Sequence, residues 1–104
     1  MFLVLYEWRA KPGKEAQFEE AWRRGTLAIT RKYGSFGSRL GRTDDGRYVG
    51  AAEWPDQATW QAAMDVGMTY DDPEARALFV DATLDGGAPI LGMTVVSDQI
   101  VEAR

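Results

Sequence analysis

Residues 2–10, Phe-Leu-Val-Leu-Tyr-Glu-Trp-Arg-Ala, constrain this chain more than any other stretch. The run is dense in aromatic and branched apolar side chains, which predicts a strand. Alternation sets Phe2, Val4, Tyr6 and Trp8 on one face and Leu3, Leu5, Glu7 and Arg9 on the other. Both faces are largely apolar, so this strand has to be covered on both sides. The chain has 104 residues, which is material for a single domain over residues 1–104. A domain of that size buries only about two thirds of its unfolded surface. Spare apolar surface on it therefore points to oligomerisation.

The rest of the chain supplies one of the two covers. Lys11-Pro12-Gly13 is a turn. A helix is predicted from about Lys14 to Tyr33, with Phe18, Ala21, Trp22, Gly25, Ala28 and Ile29 in one apolar stripe and Gly34 as its C-cap. Residues 35–43 and 47–54 read as two strands joined by the turn Asp44-Asp45-Gly46, where glycine supplies the positive φ. Pro55-Asp56 opens a second helix bearing Trp60, Ala63, Met64 and Gly67 on one face. Asp71-Asp72-Pro73 interrupts the chain before a short helix to about Leu84, which Asp85-Gly86-Gly87 is expected to break. Residues 88–101 read as a long last strand. The order β-α-β-β-α-(α)-β is the split βαβ of an α+β, ferredoxin-like fold. It predicts a four-stranded antiparallel sheet with helices on one face. The other face would expose large apolar side chains, which a monomer avoids. A homodimer closed through its sheets is expected.

Composition removes several functional classes. The chain has no cysteine and no histidine. Thiol nucleophiles, zinc-thiolate sites, Ser-His-Asp triads and His-ligated haem are excluded, and no metal is expected. Net charge is −4, against nucleic acid as a main partner. The charge is uneven: residues 1–54 carry ten basic and seven acidic side chains, residues 55–104 two and nine. No apolar run reaches the roughly 20 residues of a membrane span, and no membrane partner is expected. Glu7 and Arg9 interrupt the N-terminal apolar run, which does not read as a signal peptide. A cytoplasmic protein is the expectation.

Three stretches carry a family resemblance: Val4 through the Lys11-Pro12-Gly13 turn to Lys14, the hairpin Gly34–Val49, and Glu53-Trp54-Pro55-Asp56-Gln57-Ala58-Thr59-Trp60. Together they resemble the antibiotic biosynthesis monooxygenase superfamily, the dimeric α/β-barrel group, over roughly the first two thirds of the chain. The resemblance implies a homodimer whose sheets form a barrel, with a cavity in each subunit between sheet and helices. Some members oxygenate aromatic polyketide intermediates with molecular oxygen and no metal or flavin; others degrade haem. Trp54 matches a tryptophan that lines the cavity in several members. Tyr6 stands where haem-degrading members place an asparagine, and Ala63 stands near a helix histidine of many relatives. With no histidine present, haem degradation is disfavoured.

The aromatic set Tyr6, Trp8, Phe36, Tyr48, Trp54 and Trp60, with Met64, is the candidate lining for a hydrophobic or aromatic small molecule. Gly50 and Ala52, between Tyr48 and Trp54, would leave space for a flat ligand. The plain alternative is that these rings pack the core and an interface. Tyr6 and Tyr70 are candidate proton or hydrogen-bond donors, since a phenol near its reference pKa of about 10 is a poor base at neutral pH. Arg39 is a candidate support for an oxyanion, or a surface arginine on a hairpin. Glu7 and Glu53 are expected to pair with Arg9 or Arg39. Asp71, Asp72 and Glu74 match no calcium or magnesium pattern, and Pro73 favours helix capping. The leading expectation is a cofactor-independent monooxygenase, with no bound cofactor, acting on an aromatic or polyketide-like substrate. The alternative is a non-catalytic dimeric module for ligand binding or assembly.

Overall fold

A computed structural model describes residues 1–101. The elements run β1 (Phe2–Ala10), α1 (Glu15–Tyr33), β2 (Gly37–Arg42), β3 (Tyr48–Trp54), α2 (Gln57–Asp65), α3 (Pro73–Ala82) and β4 (Thr83–Thr94). The four strands form one antiparallel sheet in the order β2-β3-β1-β4. This is the ferredoxin-like α+β fold. Among the described residues no helix is long and apolar enough to cross a membrane.

Local chemistry fixes the element ends. Gly34 adopts φ 77° at the end of α1, and its N–H bonds to Thr30 O. Few other residues tolerate that left-handed cap. Asp56 and Asp72 cap α2 and α3 by accepting from the amides of Thr59 and Ala75. The acids at 71–74 thus serve a helix start rather than a metal loop.

Helix-facing positions of β1 and β3 alternate as expected. Phe2, Val4, Tyr48, Ala52 and Trp54 are buried. Two clusters result. One gathers Phe2, Val4, Ala52, Trp54 and Ala63, the other Phe18, Tyr48 and Ala82. Trp54 and Phe18 are fully buried, and burying each such ring contributes about 2–3 kcal/mol. The opposite sheet face carries Leu3, Leu5, Val49, Ala51, Leu91 and Met93 in register. Leu91 is 54% exposed. Glu7 pairs there with Arg47 at 3.0 Å, not with Arg9 or Arg39. Arg47 reaches it because Tyr48 next to it pairs with Trp8, next to Glu7.

The last strand departs from expectation. Helix α3 stops at Ala82, not Leu84, and β4 starts at Thr83 instead of residue 88. It ends at Thr94, well short of residue 101. Backbone pairing wins over the glycine signal here. Ala10 pairs with Thr83, and Lys11 N–H donates to Ala82 O at 2.8 Å. Gly86 and Gly87, at φ 102° and 107°, do not break the chain but bend it through register shifts opposite Tyr6 and Trp8.

Gly86 has no room for a side chain. A Cβ there would lie 2.3 Å from Glu7 O and 2.7 Å from Trp8 Cα. Gly86→Ala is expected to lower unfolding free energy by about 2 kcal/mol or more. Gly13→Ala, at positive φ in open space, is expected to cost only about 1 kcal/mol. Urea unfolding of both variants checks the difference; equal losses would show that close approach at Gly86 is not the constraint.

Candidate functional site

A cavity of about 610 Å³ lies between the sheet and the helices. That falls in the range of small-molecule sites. Its wall takes Tyr6, Trp54 and Met68 from around the first cluster and Trp8, Trp22 and Phe79 from around the second. The space is therefore the gap where the two packed ends of the core fail to meet. Ala52 and Ala21 line it and keep it open. Gly50 does not add to it, contrary to expectation. A Cβ there would meet Trp8 Cζ3 at 2.9 Å, so the Trp8 ring already fills that space.

Tyr6 is the best-defined polar group in the wall. Trp60 Nε1 donates to its hydroxyl oxygen at 2.8 Å. That bond uses an acceptor position of Tyr6 and leaves the phenolic proton to be donated elsewhere. Burial raises the Tyr6 pKa, and the Trp60 bond only partly opposes this. The group stays a neutral donor at physiological pH. Its ring stacks on Trp8 at 5.7 Å between centroids.

Trp54 is 2% exposed, and among the described residues its Nε1 has no hydrogen-bond partner. A buried orphan donor costs about 1–3 kcal/mol. The ring of Trp54 contributes to the cavity wall, while its N–H is itself sealed from the open space.

Tyr70 lines the opposite wall, on the connection between α2 and α3. Its hydroxyl lies over Gly25, where a Cβ would sit only 2.8 Å away. Burial raises its pKa, and Arg76 beside it opposes that rise. The connection is fastened on both sides. The Tyr33 hydroxyl donates to Thr69 O. Arg24 forks onto Asp72 at 2.8 and 3.2 Å and reaches Glu74 at 3.0 Å. The Ala75 amide and then Arg24 hold the Asp72 carboxyl below the usual range. The segment is a stapled wall of the cavity.

Of the residues singled out from sequence, Tyr6, Tyr70, Trp8, Trp54 and Met64 line the cavity together. Trp60 stands behind Tyr6 and orients it. Three others lie elsewhere. Tyr48 is buried beside the wall, stacked on Phe18 at 4.7 Å, with its hydroxyl donating to Glu19 Oε2 at 2.6 Å. Phe36 is 62% exposed in the turn before β2. Arg39 is exposed on the far face of the sheet, because it pairs with Ala51 while Ser38 and Leu40 pair with the helix-facing Ala52 and Gly50. The phase of β2 thus removes Arg39 from the cavity. Arg76, Trp22, Phe79 and Met68 line it without having been expected to. Trp22 lies in the apolar stripe that the sequence predicts for the first helix. Arg76 carries a legible signal: it is the one basic residue between Pro55 and Val101.

Fold and cavity together define a ferredoxin-like protein with an aromatic, donor-bearing pocket under its helices. The chain belongs to the antibiotic biosynthesis monooxygenase family, whose model matches residues 1–66. Solved structures agree on the fold. A Bordetella bronchiseptica protein of the antibiotic biosynthesis monooxygenase type is 19% identical, with a TM-score of 0.68 over 92% of this chain and 97% of that one. SnoaB, a cofactor-independent oxygenase from Streptomyces nogalater, is 17% identical, with a TM-score of 0.66 over 94% and 95%. A Deinococcus radiodurans protein of the same type is 9% identical, with a TM-score of 0.69 over 97% and 98%. At these identities the likeness is one of fold. No curated protein matches the chain in sequence.

The tyrosines give a direct check of the electrostatics. Burial, and then the Glu19 carboxylate, push the Tyr48 phenol up to about 12. Tyr6 and Tyr70 are raised as well. A phenol raised on folding leaves stability intact below its unfolded value near 10 and removes it as pH climbs toward the folded value. Ultraviolet titration should therefore show tyrosinate forming late, with the step near 12 missing in Tyr48→Phe. Stability should fall from about pH 10 upward. Ordinary titration of every tyrosine would contradict the burial of these hydroxyls.

Proposed function

We propose that this protein is a cofactor-independent monooxygenase acting on an aromatic or polyketide-like small molecule, and that it works as a homodimer closed through its sheets. The observation that carries the reading is the cavity itself: about 610 Å³, walled by Tyr6, Trp8, Trp22 and Trp54, with a buried hydroxyl that Trp60 orients. Family membership and the fold shared with an oxygenase such as SnoaB support it.

The chemistry follows from what the wall offers. Its tyrosines are donors and not bases at neutral pH, so the substrate must be acidic enough to ionise without a strong base. The substrate anion passes one electron to oxygen, the two radicals join, and the resulting peroxide loses water to leave a carbonyl. A CH₂ and O₂ become C=O and H₂O, and the substrate supplies all four electrons. Tyr6, with Tyr70 as a second donor, hydrogen-bonds the negative oxygen as it forms. Trp54 offers the substrate an aromatic wall. The rings exclude water and hold the substrate flat. Trp60 positions Tyr6 without touching substrate.

The second reading, a dimeric module that binds a ligand without turning it over, is favoured by one feature: among the described residues the wall has no histidine, and its one carboxylate is the exposed Asp85. Oxygen uptake with an electron-rich dihydroxynaphthalene separates the two. Under the oxygenase reading Tyr6→Phe should lower kcat roughly 100-fold, and Trp54→Phe should raise KM. Unchanged uptake in both variants would remove the site assignment. Tight binding without turnover would move the protein to the binding class.

The dimer rests on Leu3, Leu5, Ala51, Leu91 and Met93, an apolar sheet face too large for a small monomer to leave in water. Native mass spectrometry should give twice the chain mass of 11.6 kDa. Leu5→Asp with Leu91→Asp should give a folded monomer, or a protein that aggregates. A wild-type monomer would refute the closed barrel.

A further inference from the structure

The polar groups of the cavity are sorted by sign. Tyr6 and Tyr70 offer hydroxyl protons, and Arg76 is the only cation in the wall among the described residues. One carboxylate, Asp85, lines it as well, and no ion pair joins it to Arg76 among the described residues.

Arg76 sits in strongly acidic sequence, where neighbouring carboxylates would be expected to neutralise it. They are engaged elsewhere. Asp72 and Glu74 are held by Arg24 of α1. Asp81 is held by Lys14, the N-cap of that helix, and by Gln17 within it. Helix α1 and its cap thus take up these acids of α3 and its cap, and Arg76, exposed at the edge of the cavity, makes no ion pair among the described residues. It lines the cavity together with Tyr70. Gly25 makes room for the Tyr70 hydroxyl in the middle of α1, where glycine costs about 1 kcal/mol of helix propensity.

We propose that Arg76 and Tyr70 form an anion-recognising end of the cavity, and that the ligand is a flat aromatic bearing an oxyanion at one edge. This rests on the reading of the cavity as an aromatic small-molecule site. A guanidinium fork and a hydroxyl match the two lone-pair-rich oxygens of a carboxylate, or the single oxygen of a phenolate or enolate. The aromatic body then lies against Trp8, Trp22 and Trp54. In this arrangement Arg76 selects the ionised form of the substrate, the form that reacts with oxygen.

The test is calorimetric titration of the full-length protein with three probes: 2-naphthoate, its neutral isostere 2-naphthamide, and 2,4-dinitro-1-naphtholate. Wild type should bind 2-naphthoate about tenfold more tightly than 2-naphthamide, and added salt should narrow the gap. Arg76→Gln should erase the preference while leaving the amide's affinity within about twofold, and Arg76→Lys should restore part of it. Tyr70→Phe should reduce the preference by a smaller factor. A preference for the naphtholate lost in parallel assigns the site to aryl oxyanions in general; preference for the naphthoate alone assigns it to carboxylates. Equal binding of naphthoate and amide by wild type, or a preference that survives Arg76→Gln, would overturn the inference and leave the aromatic cavity standing. Failure of all three probes to bind folded protein would overturn the cavity reading and this inference together.

Discussion

Strand β1 is the constraint on which the other layers depend. It pairs along both edges, with β3 and β4, and it is apolar on both faces. Its neighbours are correspondingly small. Tyr6 pairs with Gly50 and Trp8 with Gly86. A Cβ at Gly50 or Gly87 would strike the Trp8 ring, and one at Gly92 would strike Phe2. The big rings of one central strand therefore lie flat over glycines of the adjacent strands. The glycines weaken their own strands, an entropic cost, and in return the rings find a seat without lifting the helices away. The same arrangement turns Tyr6 and Trp8 toward the cavity and the leucines of β1 toward the face that a second subunit would cover.

The cavity survives because the core condenses at two ends. Around Trp54 and Phe2 one cluster is closed by α2; around Phe18 and Tyr48 the other is closed by α3. Helix α1 contributes to both, and its small residues Ala21 and Gly25 line the gap between them. A gap of this kind collapses unless its walls are held from outside. Here the holding is polar. Arg24 to Asp72 and Glu74, Lys14 to Asp81, and Tyr33 to Thr69 tie α1 to the far wall. Exposed ion pairs are individually weak. Their value here lies in geometry, since they fix the wall that carries Tyr70 and Arg76.

Much of the fold was legible in the sequence. The two-sided strand, the stripe from Phe18 to Ile29 and the turn at Asp45-Gly46 each carry a strong periodic or conformational signal, and the family resemblance reinforced them. The errors came where local signals compete with pairing. Gly86-Gly87 resembles a stop, but in strand β4 it serves as a bend, and only the partner strand decides between the two. Arg39 was misplaced for a related reason. A six-residue strand broken by Gly37 and Gly41 has no clear hydrophobic phase, so which of its side chains face the helices depends on register with Ala51 and Ala52. Phe36 and Tyr48 were grouped with the cavity on ring type alone, which says nothing about direction. The aromatic floor at Tyr6, Trp8 and Trp54 was readable from alternation. Arg76 stands out in sequence as the one basic residue between Pro55 and Val101, but a lone charge on a short helix carries no direction, so only the packing of α3 places it at the cavity.

The wall's chemistry is narrower than its size suggests. A wall without histidine, whose tyrosines are shifted away from ionisation, has hydroxyl donors for neutral-pH work, one guanidinium at Arg76 and one carboxylate at Asp85. Such a set stabilises negative charge on a ligand but does little to create it. Selectivity must then sit in which molecules arrive with the charge already made, or make it easily. Where a bound aromatic body covers the donors, each one aimed at that charge counts for more than it would in water.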